Sequence, residues 1–346
     1  MKNSVNPGAD RSADPGLEER SAPRAARLPG ANKVPKPYLI LVTIVCLAGL
    51  AFGSAYAAHQ HIPPGVAAAL CAAGLLQLCA YSSLAFPALR RSWTPARLLL
   101  FAPWPWLIYS LPCGLFRPSA LVALLALAAV AVFWFHLLPR GRLADLGFVA
   151  LLAAPVLFNW FAALYPSPAP KLPAALLGHL FWIQAGLATI LNVRGIDPDF
   201  GFWPAPRHWR AGLLWYLAAL PPLTLAVAWT GFAHFVWPAT WLQCLTAGAT
   251  FFGILWVVAL SEEFFFRALL QQWFEDWSRS APLALLCASL LFGAAHLGYH
   301  HFPNWRFALL AALSGVAYGM AYRKGGLRAA MVAHALLVTT WRTFLR

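Results

Sequence analysis

From Pro37 to the C terminus the chain is a succession of apolar runs, each about 17–25 residues long, separated by short polar connectors. A run of that length crosses a hydrocarbon core of about 30 Å as an α-helix. The runs are continuous rather than alternating, which argues against the period-two pattern of a membrane β-barrel. With 61% hydrophobic and only 10% charged residues, a soluble globule is excluded as well. The expected fold class is all-α, a polytopic transmembrane helix bundle of multi-pass type. The Ala-, Arg- and Pro-rich style points to a bacterial cytoplasmic membrane.

The formal net charge of +14 does not imply nucleic acid. The basic residues sit at the ends of apolar runs, where positive charge sets membrane orientation. Cys46, Cys71, Cys79, Cys113, Cys244 and Cys287 form no CxxC pair, and five of them lie well inside apolar runs. They behave as small hydrophobes rather than as a disulfide or metal framework.

Residues 1–37 are rich in Pro, Ala, Gly and charge, and are expected to be a disordered tail. The first apolar run, to about Ala58, is too long for the 7–15-residue core of a cleaved signal and is expected to be a retained helix. Eleven helices are predicted, at about 38–58, 64–86, 98–112, 118–138, 145–164, 173–192, 211–230, 240–275, 281–297, 305–322 and 329–345. The third is short and interrupted by Pro103 and Pro105. The eighth is too long for one simple span. With the N-terminus cytoplasmic, segments on that side carry 19 of the 25 Lys and Arg residues, the opposite side carries five, and Arg267 lies within a helix. That bias supports the parity. No internal repeat is visible, so a transporter built from inverted halves gains no support.

One stretch carries chemistry. Ser261-Glu262-Glu263-Phe264-Phe265-Phe266-Arg267 places two acids and an arginine in a very apolar region, where each charge costs roughly 2.5–3.5 kcal/mol at a helix centre. At about 100° per residue, Glu263 and Arg267 lie about 40° apart and can pair, whereas Glu262 and Arg267 lie about 140° apart. Glu263 is thereby anchored, and Glu262 is left free to face a cavity. His296 follows the hairpin near Glu275-Asp276 at a depth comparable to Glu262, and His334 follows the basic turn at 323–328 on the same side. An acid and two histidines meeting near the midplane form a candidate acid–base site. Taken singly, each histidine reads as a helix-packing residue, and the coincidence of depth argues for function. Phe292 precedes His296 by one turn and is expected to pack. His296 and His300, four apart, could ligate a metal with Glu262. However, HExxH, a GxGD pair and a GxSx serine motif paired with a later histidine are all absent.

At these residues the sequence resembles the CPBP family of intramembrane glutamic endopeptidases, also called the CAAX protease and bacteriocin-processing, or Abi, family. The motifs EExxxR, FxxxH and HxxxN/B appear as Glu262-Glu263-Phe-Phe-Phe-Arg267, Phe292-Gly-Ala-Ala-His296 and His334-Ala-Leu-Leu-Val338. They divide the chain into the tail (1–37), N-terminal transmembrane helices of unknown role (38–240) and a catalytic helix set (241–346). The resemblance implies Glu262 as the general base that activates water, His296 as a holder of that water and His334 as an oxyanion stabiliser. Glu263 and Arg267 become the supporting pair. Val338 stands where the family usually has Asn and offers no side-chain donor. Losing one such donor costs about 10²–10³ in rate. No metal or organic cofactor is implied. The implied partners are a membrane protein or peptide substrate and the bilayer, with no nucleic acid. The competing classes are a proton-coupled transporter using the same buried groups as a relay and a non-catalytic scaffold or immunity-type protein.

Overall fold

Proline opens most of the helices, and the reason is local. At the first helical positions its missing N–H would be unpaired in any case, and its fixed φ suits the helix. The computed structural model describes residues 34–170, 172, 174–237 and 240–345, without the side chains of 241, 242, 244 and 245. The tail expected at 1–37 lies outside these residues up to 33, as do Lys171 and Arg346.

The elements are α1 Lys36–His59, α2 Pro64–Ser82, α3 Pro95–Phe101, α4 Pro103–Ser110, α5 Pro118–Leu137, α6 Arg142–Leu157, α7 Ala175–Ala188 and α8 Pro206–Thr230. These are followed by α9 (residues 241–278), α10 Ala281–Ala295 and α11 Trp305–Phe344. Pro stands in the first two positions of α1, α2, α3, α4, α5, α8 and α10. The expected third helix is split in two at Pro103, and the expected fifth is broken at Asn159, which adopts a left-handed conformation. Six helices are long and apolar enough to cross a membrane among the described residues. The protein is an all-α, multi-pass membrane bundle. The cysteines described (Cys46, Cys71, Cys79, Cys113 and Cys287) are free thiols.

The basic connectors converge at one end of the bundle, as the charge bias requires. Arg90 pairs with Asp197 at 3.0 Å, Arg194 with Asp145 at 2.8 Å, and Asp199 takes both Arg207 and Arg328. Arg140 donates to the carbonyl of Val193.

Two features of the last helices position the site. α10 has 15 residues, about 22 Å at 1.5 Å per residue, shorter than a 30 Å hydrocarbon core, and His296 is its C-terminal cap. α11 is two arms: Gly326 has φ 73° and ψ −170°, outside helical geometry. The rings of Tyr318 and His334 stack with centroids 4.5 Å apart. A straight helix would separate residues 16 positions apart by about 24 Å, so the chain reverses at Gly326. The fold-back corresponds to the two helices predicted at 305–322 and 329–345. α8 runs beside the second arm, where Tyr216 and Thr340 hydrogen-bond through their hydroxyls at 2.9 Å.

Candidate active site

Glu262 and Glu263 occupy one α-helical turn of α9 between two π-helical segments, Ile254–Ala259 and Phe264–Gln271. Such wide-wound stretches are rare and recur at functional sites. The two acids lead different lives. Glu263 is fully buried, and both of its carboxylate oxygens are engaged. Arg267 Nε donates to Oε2 at 3.1 Å, and His334 Nδ1 lies 2.6 Å from Oε1. The Glu262 side chain is 31% exposed, and its Oε2 lies 3.9 Å from His334 Nε2.

These contacts place a proton on Nδ1 of both histidines. A carboxylate held by arginine is an acceptor, so His334 Nδ1 carries the proton it donates to Glu263. Nε2 of His334 therefore faces Glu262. His296 Nδ1 lies 2.7 Å from the carbonyl oxygen of Phe292, which can only accept, so its Nε2 is likewise the uncommitted nitrogen.

Aromatic rings clamp the arrangement. Tyr318 lies flat on His334, 7° from parallel, and Phe292 meets His334 edge-on at 6.0 Å. Phe292 also touches His296 at 4.7 Å and carries the Arg267 guanidinium 5.4 Å over its face, a cation–π contact. Phe307 covers His296 at 5.5 Å.

Glu262, Glu263, Arg267 and His334 are thus in one connected group, and His296 joins it through Phe292. The expected Glu263–Arg267 pair forms, and Phe292 is the hub of the cluster. Two contacts were not foreseen. Glu263 orients His334 as well as neutralising Arg267, and Tyr318 completes the wall. A signal for Tyr318 was available: it and His334 each lie eight residues from Gly326, so a reversal there sets them side by side. Val338 packs against the apolar core one turn beyond His334. His300 and His301 are exposed in the loop after α10, and His300 has a left-handed backbone. Among the described residues, no group of three or more His, Cys, Asp or Glu side chains is gathered as a metal cluster.

Residues 245–340 match the family model described as Type II CAAX prenyl endopeptidase Rce1-like. The chain carries a domain of this CAAX protease family. The matched span contains all three motifs and every group of the cluster. No curated protein and no solved structure matches the chain. Together with the apolar helices, the family makes this chain a membrane hydrolase of the protease type.

Proposed function

We propose that the CAAX protease domain is a glutamic-type intramembrane endopeptidase that cleaves a membrane-associated protein or peptide at a C-terminal or processing segment. The observation that carries this reading is the division of labour between the adjacent acids. Glu263 is saturated by Arg267 and His334, while Glu262 keeps a partly exposed carboxylate facing His334 Nε2.

Glu262 takes a proton from a water held with the help of His296 Nε2, and the water oxygen bonds to the scissile carbonyl carbon. Charge develops on the carbonyl oxygen, where the doubly protonated ring of His334, its Nδ1–H kept on Glu263, donates from Nε2–H. The tetrahedral species collapses with cleavage of the C–N bond, and Glu262 passes its proton to the leaving amine. Glu263 keeps the imidazole of His334 in one orientation, as the third member of a nucleophile–base–orienter set does. No metal or organic cofactor enters these steps.

The test is Glu262→Gln in proteoliposomes, with cleavage of a membrane-anchored peptide library read by mass spectrometry. Wild-type cleavage that persists in a chelator and is lost in the variant is expected. Undiminished cleavage by Glu262→Gln would sink the assignment, and proton flux sensitive to the same substitution would select a transporter instead.

A further inference from the structure

A protease acting inside a bilayer must hold its substrate extended, because a carbonyl within a helix is already hydrogen-bonded along the helix. In lipid, each amide of an extended segment is unpaired and costly unless a strand edge supplies a partner. One such edge lies beside the site.

Phe235 and Leu345 form an isolated antiparallel bridge, and the Val236 N–H donates to the Phe344 carbonyl at 2.8 Å. That bond flanks the bridged pair rather than joining it, so Phe235 and Leu345 are a pair of the non-hydrogen-bonded kind. The N–H and C=O of Phe235 therefore point away from the C-terminal segment, and among the described residues no backbone group pairs with them. Phe235 and Trp237 are 57% and 78% exposed. Their rings meet at 5.2 Å, and Phe344 stacks on Phe235 at 5.9 Å, so the edge carries an apolar wall.

The edge is tied to the site at two points. Phe232 stacks on Phe307 at 5.7 Å, and Phe307 covers His296 at 5.5 Å. Phe344 ends the helix arm that carries His334 and lies ten residues beyond it, about 15 Å along the helix. A chain extended at about 3.3 Å per residue covers that distance in four or five residues.

We propose that Phe235 is a substrate-docking residue: its main-chain N–H and C=O pair, as a strand edge, with an extended apolar segment of the substrate four or five residues from the scissile bond. Main-chain pairing of this kind gives affinity with little regard to side chains, while the aromatic wall selects apolar ones. The proposal rests on the proteolytic reading of Glu262, His296 and His334, but docking can be read without cleavage. Full-length Glu262→Gln protein carrying Phe235→p-benzoylphenylalanine is irradiated in proteoliposomes with the membrane-anchored peptide library. Cross-links are expected at one residue per peptide, four or five positions from the bond that wild type cleaves. In the active protein, Phe235→Pro removes the free N–H without touching the Val236–Phe344 bond, and proline suits an extended backbone. Its KM is expected to exceed that of Phe235→Leu, which keeps the N–H, by about five- to tenfold at similar kcat, with near-ultraviolet circular dichroism unchanged. No cross-link from position 235 overturns the proposal. So does a KM for folded Phe235→Pro no higher than for Phe235→Leu. Cross-linking at 235 together with full cleavage by Glu262→Gln would uphold the docking edge and remove only the glutamate mechanism.

Discussion

Replacing either adjacent glutamate by glutamine should abolish cleavage, but only one replacement should unfold the protein more easily. Glu263 has no exposed side-chain surface and accepts from two donors, Arg267 Nε at 3.1 Å and His334 Nδ1 at 2.6 Å. A glutamine of the same shape has one acceptor oxygen, so its amide N–H₂ must oppose one of those donors. It also leaves Arg267 buried without a counter-charge. Removing one partner of a buried pair costs about 3–5 kcal/mol. At a few degrees per kcal/mol, Glu263→Gln should lower the melting temperature by on the order of 10 °C. Glu262 is 31% exposed, and its nearest charged partner is 3.9 Å away, so Glu262→Gln should change stability by no more than about 0.5 kcal/mol. In the proposed mechanism Glu262→Gln stops cleavage by deleting the base. In the same mechanism Glu263→Gln stops it by releasing the orientation of the His334 ring, a loss of order 10⁴ where an orienting carboxylate serves a catalytic histidine. Thermal unfolding in detergent, followed by the fluorescence of the 17 tryptophans, runs beside the cleavage assay. Equal stability of the two variants, or a greater loss in Glu262→Gln, would refute the division of roles.

Other substitutions probe the same geometry. Val338→Asn, one turn past His334, restores a donor and should raise kcat by up to about 10²-fold with little change in stability; no gain would show that another group already supplies it. Tyr318→Phe should keep near-wild-type cleavage, while Tyr318→Leu, which removes the ring stacked on His334 at 4.5 Å, should lose about 0.5–1.5 kcal/mol, or two- to tenfold in kcat. Gly326→Ala forces a side chain onto φ 73° and ψ −170°, a region essentially reserved for glycine, and should cost about 1–3 kcal/mol, visible as a lower melting temperature.

The helical class was legible because lipid leaves so few alternatives: long apolar runs must become helices. The i,i+4 relation of Glu263 to Arg267 was legible for the same reason, since one helix carries both. The contact of Phe292 with His296 was legible because they stand one turn apart on α10. The second hydrogen bond of Glu263 was not, because it joins α9 to the far arm of α11, 71 residues away, and rotation of one helix about its axis against another is set by packing. The π segments at 254–259 and 264–271 were also hidden. Phe, Leu and Val in such stretches are equally at home in an α-helix, so nothing in their identity reports the wider winding.

Four ionisable groups meet inside this bundle, and alone they would cost about 10–14 kcal/mol at the centre of a membrane. With a proton on both nitrogens of His334, the two acids, the arginine and the histidine sum to zero charge, which is the condition under which burial becomes tolerable. Within that balance, hydrogen-bond capacity is spent unevenly. Both oxygens of Glu263, Nε of Arg267 and Nδ1 of His334 are committed at 3.1 Å or less. Among the four, proton-exchanging capacity remains only on the Glu262 carboxylate and His334 Nε2, and these two face each other across 3.9 Å. These are the two groups that can take or give a proton without breaking a structural contact. The proposed reactivity of Glu262 rests on its neighbours' being satisfied. The same logic requires that a lysine or arginine introduced within hydrogen-bonding reach of Glu262 stabilise the fold and silence the enzyme at the same time.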